Sequence, residues 1–377
     1  MGYNVIFNSL GHSGQPLPYF MEEKDNTFVG RITQGSDFYS TSRFVKTVKP
    51  DIVISLRDAW IYCGPPYFAN KYDARKLYEM NPDIRHIIYS PIQNDHVPNE
   101  YTKAFIENCH MGITMTNWAR DALIKNGFDP ERIEVVEHGY DPKLYYHETL
   151  EKKKYGYPEE RPVITFIGMN LDYRKNYPTL MAAFAKVRKV IPSYLYIHTE
   201  PLGYYNLFQH EYLAGIGEDT MYPRDHLKYW GIPEDKMKDL YNLTDVYVNP
   251  SYSEGFGIPE MQATVCGTPT VLTDFPNHRE LFGKYAWYPK TARDHPTVWG
   301  YEWRVEANSM ADKIIEILKM PEDELKEWRK RALIHFKRLE WRYIYNKLDR
   351  IIKKTLDLPP ELPKAPKMRT ILDDKNE

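Results

Sequence analysis

Two short stretches carry side chains of the types and spacing that chemistry needs. In SYSEGFGIPEMQATVCGTP, residues 251–269, Glu254 stands directly before a Gly-Phe-Gly step, and Gln262 follows one helical stretch later. Gly255 and Gly257 let a backbone approach a ligand closely. The chain then reads as a short helix with Pro259 in its first turn and Gly267 as its stop. Free N–H groups at such a helix start favour an anion or a hydroxyl-rich ligand. Glu254 repels a phosphate beside it but accepts from sugar hydroxyls, whereas the neutral Gln262 can both donate and accept. A tight strand-to-helix turn with a solvated acid would have the same letters, and G-F-G alone is weak, because Glu260 stands where a dinucleotide fingerprint needs Gly. The second stretch, GMNLDYRKN (168–176), sets Arg174 and Lys175 just before another helix. There they suit a diphosphate and the charge that grows on it as it leaves. Taken alone, a Lys-Arg pair is more often a solvated surface feature.

Elements of matching period must hold these loops. In the first half, apolar runs YNVIFNSL, DIVISL (51–56), HIIYS (86–90), MGITMT (111–116) and RIEVVEHG (132–139) alternate with helical patterns such as WARDALIKNGFDP. A second series follows: PVITFIG (162–168), a helix over about 177–191, SYLYIHT (193–199), DVYVNP (245–250) and TPTVLTD (268–274). This β-α-β rhythm predicts parallel sheets covered by helices. The fold class expected is therefore α/β, two Rossmann-like domains facing a central cleft. Ligands in such sheets bind beyond the carboxyl ends of the strands. The charged segment 146–161 reads as a linker or peripheral helix. From about Asp323 to Thr355 the chain is helical and basic, which suits either a membrane-lying helix or a terminal helix packed across the domains. Residues 358–377, rich in Pro and charge, are expected to form a loosely ordered tail.

Composition narrows the function. At 377 residues, with 42% hydrophobic and 27% charged residues, the chain has the make-up of a globular protein of two domains. A formal charge of −2 argues against a nucleic-acid binder. No run approaches the ~18 apolar residues a membrane span needs, and three widely spaced cysteines suggest neither a disulfide framework nor a zinc site, so a cytoplasmic location is expected. P-loop, zincin and α/β-hydrolase signatures are missing. So is any D-x-D, which leaves a paired-aspartate metal clamp on a diphosphate without a source. Residues 1–150 hold 15 Lys and Arg against 19 Asp and Glu, which is no basic face for anionic lipid.

The chain resembles the retaining glycosyltransferases of family 4, which have the GT-B fold. The resemblance covers most of the chain and is strongest in DVYVNPSYSEGFGIPEMQATVCGTPTVLTD, supported in order by GITMTNWARDALIKNGFDPERIEVVEHGYD, FIGMNLDYRKNYPTLMAAF and RLEWRYIYNKLDRII. It implies an acceptor-side domain over 1–158, a nucleotide-sugar domain over 159–338, and a helix over 339–357 that crosses back to the first domain. It implies transfer of a sugar from a nucleotide-diphosphate sugar to a glycan, protein or lipid acceptor, with retention and without a metal or a resident cofactor. Catalytic roles fall to Glu254, Lys175 and Arg174, and donor binding to Asn170, Gln262 and the backbone of Gly255, Phe256, Gly257 and Ile258. Two departures stand out: Gln262 replaces a second Glu that holds the ribose, and Met169 replaces an Arg of the phosphate loop. Gly11, Asp58, Asp95 and His96 are acceptor-side candidates; no His clearly matches the one that the family has near the reacting centre. A non-catalytic nucleotide-sugar-binding protein and a GT-B hydrolase or epimerase remain as rival readings, and peripheral membrane contact stays open through the basic last helix.

Overall fold

Strands that are apolar on both faces can be buried only inside a sheet covered on both sides, and the computed structural model places them in two such sheets. It describes residues 5–7, 27–29, 45–46, 49–58, 75–94, 99–157, 160–223, 232–297 and 300–362. Near the start, β1 (Val5–Phe7) and β2 (Thr27–Val29) form a parallel pair. Four parallel strands follow in chain order, β3 (Ile52–Leu56), β4 (Arg85–Tyr89), β5 (Met111–Thr114) and β6 (Ile133–Val135). Helices α1 (Arg75–Met80), α2 (Asn99–Asn108) and α3 (Asn117–Lys125) connect them.

The second sheet decides where a site can form. Its strands are β7 (Val163–Ile167), β8 (Tyr194–His198), β9 (Thr220–Met221), β10 (Val246–Asn249) and β11 (Thr270–Leu272), in the spatial order β11-β10-β7-β8-β9, all parallel. The chain runs outward from β7 to β9, then returns to lay β10 on the other flank of β7. The strand order thus reverses between β7 and β10, and the crevice beyond their carboxyl ends is the topological switch point. Helix α4 (Tyr177–Val190) follows β7 and buries Tyr177, Leu180, Met181, Phe184 and Val187 at helical spacing. Helices α5 (Leu207–Ala214) and α6 (Glu234–Leu243) precede β10; α7 (Ile258–Val265) and α8 (Pro276–Phe282) follow β10 and β11.

Three regions differ from the sequence expectation. Residues 291–305 form an antiparallel hairpin, β12 (Thr291–Thr297) with β13 (Gly300–Val305), which the β-α rhythm does not predict. Its alternation is hidden by charges and by a register shift between Arg293 and His295. The segment 146–161 contributes one 3-10 turn, Lys152–Tyr155, pinned by Lys152 to Asp245 at 2.5 Å. After α9 (Ala307–Leu318) and α10 (Glu322–Phe336), a 3-10 turn and Glu340 break the basic helix before α11 (Trp341–Leu356).

Helix α11 buries Ile344 and Ile351 in one apolar cluster with Ile87 and Ile113 of the first sheet and Tyr247 and Phe256 of the second domain. Part of its apolar face is thereby used within the protein, while Tyr343, Tyr345 and Leu356 stay exposed. The expected loose tail is anchored at its start: Arg85 donates to the Leu358 carbonyl at 3.0 and 2.8 Å, and His110 Nε2 lies 3.0 Å from the Pro360 carbonyl. From 363 the tail lies outside the described residues. Among the described residues no helix is long and apolar enough to cross a membrane.

Candidate active site

The loops after β7 and β10 lie side by side because their strands do, and backbone bonds stitch them together. Asn176, in the left-handed region at φ 50°, donates its side-chain N–H to the Pro250 carbonyl at 3.0 Å. Tyr252 N–H donates to Arg174 O at 2.9 Å, and the Arg174 guanidinium donates to Ser253 O at 2.9 Å. Asp172 caps the 3-10 turn Tyr173–Lys175 through Arg174 N–H at 2.9 Å. This stitching brings three ionic side chains into one cluster. Lys175 Nζ contacts Glu254 Oε1 directly, and Arg174 Nη1 lies 3.1 Å from the same oxygen. Lys175 and Glu254 side chains are only 14% and 12% exposed.

Burial alone would push the Glu254 carboxyl up, but the Lys175 and Arg174 cations outweigh it and hold the group at about 2. The two cations are therefore not free charges, as the sequence suggests; they already share one carboxylate. Behind them lies a second acid. Glu260 on α7 is buried and accepts from Asn249 Nδ2. Burial first, then the nearby Glu254 charge, raises its carboxyl to about 7. His278 on α8 is also buried, with Nδ1 2.9 Å from Thr273 O. Desolvation lowers it to about 4, which keeps the ring neutral at pH 7. None of Glu260, Asn277 and His278 carries a motif that sequence reasoning could have used.

Gly257, at φ 93°, turns the chain into α7, a conformation that L side chains rarely adopt. Among the described residues the N–H groups of Gly255, Phe256, Gly257 and Ile258 bond no backbone carbonyl, which leaves them as donors in the loop that carries Glu254. Phe256 itself is buried, its ring edge-on to His138 of the first domain at 5.1 Å. Gln262 Oε1 accepts from the buried Tyr241 hydroxyl at 2.9 Å, which orients its amide. Met169 is 68% exposed and brings no charge.

Asn170, expected to bind the donor, is engaged within the protein. Its Nδ2 donates to Glu200 O at 3.2 Å and Tyr205 O at 2.8 Å, and its Oδ1 accepts Tyr205 N–H at 2.9 Å. A buried side chain bonded in this way braces the neighbouring loop. Of the residues expected on the acceptor side, Asp58 after β3 acts electrostatically on Arg174, which brings it to this cluster. Gly11, Asp95 and His96 lie outside the described residues. Among the described residues, no group of three or more His, Cys, Asp or Glu side chains is placed to hold a metal ion.

Gly255 lies against the first domain: a Cβ there would sit 2.4 Å from Pro91 Cβ. Gly255→Ala is therefore expected to destabilise the protein by about 1–3 kcal/mol through overpacking. A urea unfolding midpoint unchanged from wild type would show that the domains do not meet here.

Beyond geometry, known proteins of this architecture can be compared. Sucrose-phosphate synthase from Thermosynechococcus elongatus superposes with a TM-score of 0.70 at 16% identity, covering 94% of this chain and 89% of that one. Anabaena HepE in complex with UDP and glucose superposes with a TM-score of 0.64 at 13% identity, covering 87% and 86%. At such identities the likeness establishes the fold, which is GT-B. Residues 147–334 match the family of glycosyl transferases group 1. It is 30% identical over 137 residues to the serotype-specific mannosyltransferase WbdA of Escherichia coli, over 35% of this chain and 16% of that protein. It is 26% identical over 151 residues to the D-inositol 3-phosphate glycosyltransferase of Segniliparus rotundus, over 38% of this chain and 32% of that protein. The matched segment thus spans less than a third of the length of these relatives.

Proposed function

We propose that the protein is a hexosyltransferase-type enzyme that moves a sugar from a nucleotide-diphosphate sugar to an acceptor hydroxyl, with retention of anomeric configuration and without a metal. The observation that carries this reading is the Glu254–Lys175–Arg174 cluster at the switch point, beside the N–H groups of 255–258. The group 1 family match and a structural neighbour bound to UDP and glucose support it. In this reading residues 1–158 hold the acceptor, 159–338 hold the donor, and 339–357 return to the first domain. A cytoplasmic setting, where Cys109 and Cys266 remain thiols, accords with it.

The donor diphosphate lies against Lys175 and Arg174, and Glu254 accepts from the sugar hydroxyls. As the bond from the anomeric carbon to the phosphate oxygen breaks, its electron pair passes to the diphosphate, where fixed cations stabilise it. The acceptor oxygen bonds to the same face of that carbon, and its proton passes to the departing phosphate oxygen. Closure of the two domains aligns the reactants and excludes water. Same-face displacement is adopted from the family, because none of these residues is assigned as a covalent nucleophile.

A panel of nucleotide sugars, with and without chelator and read by mass spectrometry, tests this. The expected result is acceptor-dependent release of nucleoside diphosphate from one donor, unaffected by chelator. No release from any donor would favour the binding-protein alternative, for which the neutral Gln262 and Met169 speak. Release without acceptor would favour a hydrolase or epimerase. Gln262→Glu is expected to tighten nucleoside diphosphate binding by about 3- to 10-fold, since a carboxylate accepts from a diol more strongly than an amide. Titration calorimetry measures the affinity; a change in which sugar is transferred would instead displace Gln262 from the nucleotide end of the site.

A further inference from the structure

Helix α8 begins just beyond β11 and touches both domains. Asn277 in its first turn is fully buried. Its Nδ2 donates to the backbone carbonyl of Glu254 at 2.7 Å and to Ile92 O at 3.1 Å, and its Oδ1 accepts from the Thr116 hydroxyl at 2.6 Å. Ile92 follows β4 and Thr116 follows β5, so two of the three bonds reach loops at the carboxyl ends of first-domain strands. One turn later Glu280 accepts from Asn117 N–H at 2.7 Å, Asn117 Nδ2 at 2.8 Å and Trp118 N–H at 3.0 Å. These backbone N–H groups begin α3, where a helix has no partners of its own and favours a negative charge. Thr116 completes the cap by accepting Ala119 N–H at 3.1 Å. The second domain therefore caps a first-domain helix in trans.

We propose that Asn277 and Glu280 form a latch in which Asn277 is a positioning residue for Glu254, so that the donor loop is held in place only while the domains are closed. The inference rests on the proposed transferase function for its kinetic consequence but not for its structural one. The physical reason lies in the amide. An amide oriented by three hydrogen bonds cannot turn; one that has lost Ile92 and Thr116 keeps a single bond, to a carbonyl that water can claim instead. Glu280 has no contact with Glu254 in this arrangement and acts on it only through closure. Trp118 extends the same seam, edge-on at 6.1 Å to Trp303 of the β12–β13 hairpin, whose backbone N–H bonds Tyr252 O at 3.1 Å.

Three full-length variants test the latch. Glu280→Ala removes an exposed side chain and should leave each domain folded. Asn277→Asp keeps size and the acceptor for Thr116 but loses both donated bonds. Thr116→Ser keeps the hydroxyl and is the conservative control. Hydrogen exchange by mass spectrometry should show faster exchange at 117–118 in Glu280→Ala and, as the signature of coupling, faster exchange at Tyr252 and Met261 as well, whose N–H groups bond Arg174 O and Gly257 O on either side of Glu254. Transfer kinetics should show kcat reduced by about 10- to 100-fold, with donor KM within about threefold, for Glu280→Ala and Asn277→Asp. Thr116→Ser should behave as wild type. Faster exchange confined to 117–118 in Glu280→Ala, or an unchanged kcat in it, would overturn the latch. If wild type transfers no sugar from any donor, the transferase reading fails while the exchange result at Tyr252 and Met261 still decides the latch.

Discussion

Lys175→Ala is expected to lower the rate of sugar transfer by about 10²- to 10³-fold while leaving the protein folded, the magnitude typical of removing one fixed group that stabilises transition-state charge. The reasoning starts from position. Lys175 closes the turn after β7, and its ammonium is held on Glu254 with little exposure to water. A cation in that position needs no reorganisation when charge grows on the departing diphosphate. Its loss leaves Glu254 with Arg174 at 3.1 Å, so the carboxylate is still paired and folding is not at risk. The effect should therefore fall on kcat, measured by nucleotide release, with an unchanged circular dichroism spectrum. Lys175→Arg should recover only part of it, because a planar fork does not replace a compact point charge. Near-normal turnover in Lys175→Ala would remove Lys175 from the chemistry.

Glu254→Gln should have the second large effect, on transfer and on stability together. The amide leaves two partly buried cations without the carboxylate they share, and breaking the pair in this way costs up to about 3–5 kcal/mol, the range for fully buried pairs. The pH dependence follows from the direction of the shift. The folded carboxyl is held at about 2, below its ordinary value of 4.5. Its contribution is therefore complete above pH 4.5 and is lost as pH falls through about 2. Urea midpoints of wild type and variant should differ most at pH 7 and converge toward pH 2. A nucleoside diphosphate returns negative charge to the orphaned cations, so it should raise the melting temperature of the variant more than that of wild type. Equal shifts in the two proteins would mean that Lys175 and Arg174 do not hold the diphosphate.

Much of this was legible in the sequence, and the reasons are local. Alternation of apolar runs with helical patterns follows from burying parallel strands under helices, so VITFI and VYVN each had one sensible place. Pro259 and Gly267 bracket α7 because proline lacks an N–H where none is needed and glycine tolerates the left-handed stop; Gly267 has φ 85°. The hairpin β12–β13 was not legible, since charges and a register shift obscure its period. Nor were the loop-bracing bonds of Asn170 legible, since its polarity alone names no partner.

By itself the sequence determined most of the parallel strands and the helices between them, and that two loops rich in glycine and charge follow two of those strands. It could not determine that the two loops meet. Lys175 and Glu254 are far apart in the chain, and they touch because β10 returns to lie against β7 instead of continuing beyond β9, with Val246 beside Ile164. That choice depends on burying both flanks of β7 at once, a property of the whole sheet and not of any segment in it. The same holds between the domains: nothing in PNHREL marks Asn277 or Glu280 until closure sets α8 against the open end of α3.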